Sequence, residues 1–318
     1  MCGIVGIFGN INNHEENVFK DLLIMDSIRG PHSTGVLQVN RKEDFTVFKK
    51  AENSIEFSSY HIYQQMFRTL NKFLLGHNRW ATKGKITDEN AHPFVHDNII
   101  GVHNGTLDWG HDLPESERFQ VDSDNLIYAI QKQGIKETWS QVRGAATVMW
   151  WDTKDSSVNI IRNKERPMTY ALEDNVVYFS SEKFILAACL DRNNKLSNEV
   201  EFNKTEVDVH YKFTFSKNKI KVEEEKCEPA ETKTYNSWYF NSWAYDREKI
   251  KFILHEAIKH RNFSTYKGVT DHGDKVSLNS WDEKNIETDK EYKGEVAYTD
   301  WNKGRKQYFI SPTSIEEA

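Results

Sequence analysis

The stretch that decides the fold is Met1-Cys-Gly-Ile-Val-Gly-Ile-Phe-Gly9. It has no basic flank and its apolar run is too short for a secretory signal, so it reads as structure rather than as a leader. Ile4, Val5, Ile7 and Phe8 leave neither face polar, which predicts a strand over residues 2–8 buried on both sides. Cys2 stands at its very end. Aminopeptidase removes an initiator methionine when the next residue is small, so Cys2 is expected to become N-terminal. It would then carry a thiol and a free α-amine together. The ordinary pKa of such an amine, about 7.7–8.0, lets it take a proton from the thiol directly or through one water. Taken alone, a cysteine here reads first as a small hydrophobe.

Outward from this strand the chain alternates helical blocks with strands joined by short turns. Glu15–Ile28 fits an amphipathic helix with Val18, Leu22, Met25 and Ile28 on one face. Residues 34–40 and 44–49 read as a hairpin, 52–71 as helical, 73–79 and 98–102 as strands. Ser123 is placed to cap a helix running to Lys132 and stopped at Gly134. Strands follow at 145–151, 158–162, 168–172 and 176–180, then a helix at 182–190 and strands at 207–215 and 220–222. Such blocks indicate antiparallel sheets with packed helices, not βαβ crossovers.

The texture changes near residue 226, giving a reading of one domain over 1–225 and an extension over 226–318. Cys227–Lys233 is polar, contains Pro229 and suits a linker. An aromatic cluster follows at Trp238, Tyr239, Phe240, Trp243 and Tyr245. Asp246 is placed to cap a helix to Arg261 with Ile250, Ile253, Leu254, Ala257 and Ile258 inward. Beyond residue 265 the chain is charged and poor in aliphatics, so little regular structure and no independent core are expected. The extension is read as a docking or regulatory element.

Composition narrows the function classes. The 318 residues carry 42 Lys+Arg against 48 Asp+Glu, a net charge of −6, which speaks against direct nucleic-acid binding. Mean hydropathy is −0.72, and no apolar run approaches the roughly 20 residues of a spanning helix, so no membrane role is expected. The three cysteines, Cys2, Cys189 and Cys227, have unrelated spacings and fit a reducing cytoplasm. His92 and His96 stand at i,i+4 with His77 and His103 near in sequence, which raises zinc. Pro93 breaks a helix between them and no HExxH pattern is present, so no metal is assigned.

Four further segments follow the opening one in order: Arg29-Gly-Pro-His-Ser-Thr-Gly35, Gly76-His-Asn-Arg-Trp-Ala-Thr82, His103-Asn-Gly105 and Asp122-Ser-Asp-Asn125. Two more lie beyond, Arg143-Gly-Ala145 before a strand, and Arg162 to Met168 before a strand ending in Ser180-Ser-Glu182. Together, over roughly residues 2–190, they resemble the class II glutamine amidotransferases, a branch of the N-terminal nucleophile hydrolases. The resemblance implies an α+β fold, a four-layer αββα sandwich of two antiparallel sheets over residues 2–225. It implies hydrolysis of L-glutamine to glutamate and ammonia through a thioester on Cys2, with no cofactor.

The residue types suit that chemistry. A glutamine site needs a cation for the carboxylate and an anion for the ammonium. Arg79 offers a planar fork and Asp124 a carboxylate, and the family gives these positions those roles. By type alone Arg79 also fits a surface ion pair and Asp124 a helix cap. A tetrahedral oxyanion needs fixed donors, which Asn104 and the Gly105 N–H would supply, although Asn-Gly is also a common hairpin turn. In the family, the region of Trp80 and Thr82 closes over the substrate, and His103 belongs to the oxyanion segment and lines the site. Two positions depart from the pattern, His32 where Asp is usual and Lys83 where some members have His.

The resemblance also implies an ammonia-accepting synthase. Fewer than a hundred residues follow residue 226 and show no Gly-rich phosphate loop, Ser-Gly-Gly pattern, sugar-isomerase or phosphoribosyl signature, so the acceptor chemistry is expected on another chain. The alternatives are a stand-alone hydrolase of glutamine or γ-glutamyl amides, and a catalytically silent binding relative. Association into a homo-oligomer stays open.

Overall fold

A computed structural model describes residues 2–108, 112–173, 175–196, 200–230, 249–259, 264–280, 286–302, 305–310 and 315–317. The chain divides into two compact units, Met1–Thr232 and Lys233–Ala318.

The first unit is built on β1 (Gly3–Gly9), which is buried along its whole length. Its alternation assigns its two faces. Val5 and Ile7 pack beneath helices, whereas Ile4 and Phe8 face a second sheet. Helix α1 (Asn13–Met25) begins with a capping box between Asn12 and Glu15 and buries Val18, Phe19, Leu22 and Leu23. The chain turns through a 3-10 segment, Asp26–Arg29, into β2 (Ser33–Asn40) and β3 (Phe45–Lys50). The helical stretch expected at 52–71 is broken into the short helices α2 (Ser54–Ser58) and α3 (His61–Gln65) and one 3-10 turn.

Strands β4 (Asn71–Arg79), β5 (Phe94–His96) and β6 (Ile99–Leu107) follow. Helices α4 (Asp122–Gln133) and α5 (Ile135–Trp139) precede β7 (Gly144–Asp152), β8 (Ser157–Arg162), β9 (Thr169–Glu173) and β10 (Val176–Ser180). Helix α6 (Lys183–Arg192) leads to β11 (Phe202–Lys204), β12 (Val209–Ser216) and β13 (Lys219–Lys226). One antiparallel sheet has the order β11-β9-β10-β1-β4-β2-β3 and the other β13-β12-β8-β7-β6-β5. Helices α1 and α6 cover the first, α4 and α5 the second, and the sheets bury Phe8, Phe73, Met149, Trp151 and Phe213 between them. This is the expected αββα sandwich. The expected cap at Ser123 is not found. Val121 takes that position without a side-chain bond, and the Ser123 hydroxyl turns to His103 instead.

In the second unit the helix expected over 246–261 is a strand where it is described, β14 (Lys249–Lys259). Phe252 and Leu254 point inward while Ile253 is 46% exposed, a period of two rather than 3.6. Strands β15 (Ser264–Thr270), β16 (Lys275–Ser280), β17 (Lys290–Asn302), β18 (Arg305–Ile310) and β19 (Glu316–Glu317) follow. Strand β14 pairs with both β15 and β17, so the order β14-β15-β16-β18-β17 closes on itself, with β16 and β18 parallel. That is the strand order of a five-stranded OB-type barrel.

Its interior holds Phe252, Leu254, Tyr266, Val276, Leu278, Tyr292, Tyr308 and Ile310. The expectation of a tail without a core is therefore corrected. Tyrosines supply the volume that aliphatics lack, and closure removes the sheet's open edges. The aromatic cluster at 238–245 lies outside the described residues.

Candidate active site

Period two brings the site together. On β4, Phe73 and Leu75 face the second sheet, so His77 and Arg79 continue the same row. On β6, Ile100 and Val102 face the first sheet, so Asn104 continues that row. In the pairing of β1 with β4, Gly3 lies opposite Asn78. This carries Cys2 beside Arg79, on the inter-sheet face that Ile4 shares. One side-chain bond spans the two sheets here: His77 Nε2 donates to the His103 carbonyl at 3.1 Å. It holds the end of β4 against the end of β6.

Cys2 is buried, and its Sγ accepts from the Trp80 N–H at 3.2 Å and lies 3.4 Å from the Trp80 carbonyl. Burial raises the thiol pKa, while the Trp80 N–H and the Arg79 charge work in the other direction. Arg29 Nε donates to the Cys2 carbonyl at 2.9 Å, and Arg29 Nη1 pairs with Glu182. Glu182 thus holds the arginine that holds the Cys2 backbone.

The Asn104 side chain is 1% exposed, and neither its Nδ2 nor its Oδ1 has a hydrogen-bond partner. A buried amide left open in this way is costly unless a ligand completes it. At Gly105 a Cβ would fall 1.8 Å from the Ala145 carbonyl, so only glycine lets β6 lie this close to β7. Asp122 accepts from the Leu107 N–H at 2.8 Å and ties the end of β6 to the start of α4.

Arg79 is buried, and its guanidinium donates to the Lys85 carbonyl at 3.1 Å and to the Lys83 carbonyl. The loop after β4 is fastened in turn. Thr82 meets Thr106 at 3.0 Å, and the Lys83 ammonium reaches the Leu107 carbonyl. Lys49 Nζ donates to the carbonyls of Glu89, Ala91 and Pro93 at 3.1, 2.7 and 3.2 Å. Trp80 packs in a tilted contact at 4.9 Å against His32, whose Nδ1 accepts from the Ala81 N–H at 3.0 Å. His32 thus ties the turn before β2 to the loop after β4.

Two predicted substrate residues are otherwise engaged. His103 points toward α4, with Nδ1 2.9 Å from Ser123 Oγ and Nε2 3.3 Å from the Ala145 carbonyl. The odd positions of β6 face the helices, so the strand period alone indicated this. Asp124 bonds His96 Nε2 at 2.7 Å, a pair that the sequence reading did not join. The His77 and His92 rings are tilted against each other with centroids 3.9 Å apart, and among the described residues no three His, Cys, Asp or Glu side chains are grouped to hold a metal.

A family model described as a glutamine amidotransferase domain matches residues 77–188. The chain carries a class II glutamine amidotransferase domain. The match runs from the last residues of β4 into α6, and includes Arg79, Asn104, Gly105 and Asp124. Among curated relatives, the glutamine–fructose-6-phosphate aminotransferase of Bartonella quintana is 25% identical over 210 residues, 60% of this chain and 33% of the relative. That of Wigglesworthia glossinidia brevipalpis is 31% identical over 138 residues, 41% of this chain and 21% of the relative.

Among solved structures, glutamine phosphoribosylpyrophosphate amidotransferase from B. subtilis superposes with a TM-score of 0.53 at 19% identity, covering 70% of this chain and 49% of that one. A structure described as the allosteric regulatory enzyme of purine biosynthesis gives 0.55 at 19%, covering 72% and 50%. These two support the fold of the amidotransferase domain. The chain spans about a third or less of the curated relatives it matches.

Proposed function

We propose that the chain hydrolyses L-glutamine to glutamate and ammonia with Cys2 as nucleophile. The observation that carries this reading is the buried, unpartnered Asn104 amide on the face that Cys2 shares. After loss of Met1, the Cys2 α-amine takes the thiol proton and the thiolate attacks the side-chain amide carbon. Asn104 Nδ2 and the Gly105 N–H receive the oxyanion. The Cys2 ammonium gives its proton to the amide nitrogen, which leaves as ammonia, and water cleaves the glutamyl-thioester. The substrate carboxylate takes the place of the Lys83 and Lys85 carbonyls on Arg79, and its ammonium pairs with Asp124. Trp80 and Thr82 shield the site, and His103 holds β6 in register.

The relatives are named for transfer of the glutamine nitrogen to fructose 6-phosphate or to phosphoribosylpyrophosphate. By analogy, the ammonia formed here goes to an ammonia-accepting synthase. A stand-alone glutaminase remains the second reading, and glutaminase assays with and without cell extract separate the two. A subunit is slow alone and stimulated by its partner.

Arg79→Lys keeps the charge and loses the fork. It is expected to lower kcat/KM for glutamine by roughly 1–3 kcal/mol, the scale of a charge-assisted bond. Asp124→Asn is expected to do the same through the ammonium. Unchanged steady-state kinetics in either variant would remove that residue from substrate recognition.

For the second unit we propose a docking or regulatory role. It has its own core, so a chain ending at residue 232 is expected to keep Cys2 reactive toward a glutamine-like electrophile. A truncated protein that stays folded by circular dichroism yet loses that reactivity would place catalytic groups in the barrel.

A further inference from the structure

Asp26 is completely buried at the start of the 3-10 turn behind Cys2. Its Oδ2 accepts from Asn78 Nδ2 at 3.1 Å, but its Oδ1 has no hydrogen-bond partner. The nearest cation, Arg29 Nε, lies 4.0 Å from Oδ1 and spends its proton on the Cys2 carbonyl. The carboxylate rests against Gly3. A Cβ there would fall 1.9 Å from Oδ2 and 2.2 Å from Oδ1, so residue 3 has to be glycine for Asp26 to reach the backbone next to Cys2. Charge is also out of balance. Asp26 and Glu182 are two carboxylates around the single guanidinium of Arg29. A buried carboxylate with an open acceptor and excess negative charge calls for one more donor.

We propose that Asp26 is the positioning residue for the Cys2 α-amine, pairing with it as an ammonium once the thiol has given up its proton. This rests on the reading of Cys2 as an N-terminal nucleophile. The step balances within one residue: the S–H bond breaks, an N–H bond forms, and the resulting ammonium sits between thiolate and carboxylate. The other groups facing Asp26 are Arg29 on its own turn, Asn78 on β4, and Glu182 and Cys189 at α6. Arg79 and Asp122 act on the thiol instead. Burial pushes the Asp26 carboxyl up to about 6, opposed by the Asn78 bond and Arg29, and an ammonium beside it would bring it down again.

The test uses the full chain with Met1 removal confirmed by intact mass. The rate of Cys2 labelling by a glutamine-like electrophile is followed against pH. Asp26→Asn is nearly isosteric, and it is expected to lower the amine-linked apparent pKa by about one pH unit or more and to slow labelling near neutrality. A lower melting temperature with an unchanged pH profile would make Asp26 merely structural and overturn the proposal.

A second measurement needs no variant. In protein labelled with 15N-cysteine, the α-amine is expected to titrate above the ordinary range of about 7.7–8.0. Titration within or below that range also overturns the proposal. A raised amine pKa without Cys2 labelling at any pH would support the contact and sink the nucleophile reading. Retention of Met1 would overturn both.

Discussion

Replacing Cys2 with alanine is expected to lower glutamine turnover by several orders of magnitude, because no other group on the inter-sheet face can form the thioester. The same change should abolish labelling by a glutamine-like electrophile. Alanine still permits removal of Met1 and fits the buried site, so the melting temperature should stay near that of the parent. The remaining cysteines offer no substitute. Burial pushes Cys189 up to about 12 and raises Cys227, which leaves little thiolate in either at neutral pH. Parental activity in the alanine variant would end the proposed mechanism.

A pronounced loss of stability in mild acid is expected next. Burial lowers His77 to about 3 and His210 to about 4, and it lowers His92 and His103 as well. In the unfolded chain these rings titrate near 6.5. The unfolded state therefore binds more protons over the window from about 6.5 down to the folded values. The stability these neutral rings contribute is full above that window and is lost as pH falls through it. Each such histidine contributes at most about 1.4 kcal/mol per pH unit. Asp26, raised to about 6, and Glu16, also raised by burial, act in the opposite sense, but they are two groups against four. Urea melts at pH 7.5, 6 and 5 should show the decline. His210→Asn, outside the Cys2 cleft, should make it shallower. A flat profile over that range would show that the rings are not buried in their neutral form.

Parts of the protein were legible in the sequence because the signal is local. The doubly apolar run from Ile4 to Phe8 announced a central strand, and short turns between strands announced antiparallel sheets. Cys2, Arg79, Asn104 and Gly105 could be proposed from ordered motifs, because the expected chemistry asks for particular side chains at particular strand ends. The sandwich follows from the same alternation, which gives each central strand one face for helices and one for the opposite sheet.

What only the tertiary structure decided is how those side chains are spent. Nothing in the local sequence says that Arg79 is held by the Lys83 and Lys85 carbonyls, that His96 meets Asp124, or that His103 turns to Ser123. Those bonds join segments brought together by packing, and they set the charge and orientation of the site. Asp26 was invisible for the same reason, since one aspartate in a helical turn reads as surface until Gly3 is seen against it. The second unit shows the limit most plainly. Ile250, Ile253, Leu254, Ala257 and Ile258 satisfy a helical period, yet β14 takes its hydrogen bonds from β15 and β17. Helix propensity is worth tenths of a kcal/mol per residue, and a closed barrel with Phe252 and Leu254 in its core outweighs it.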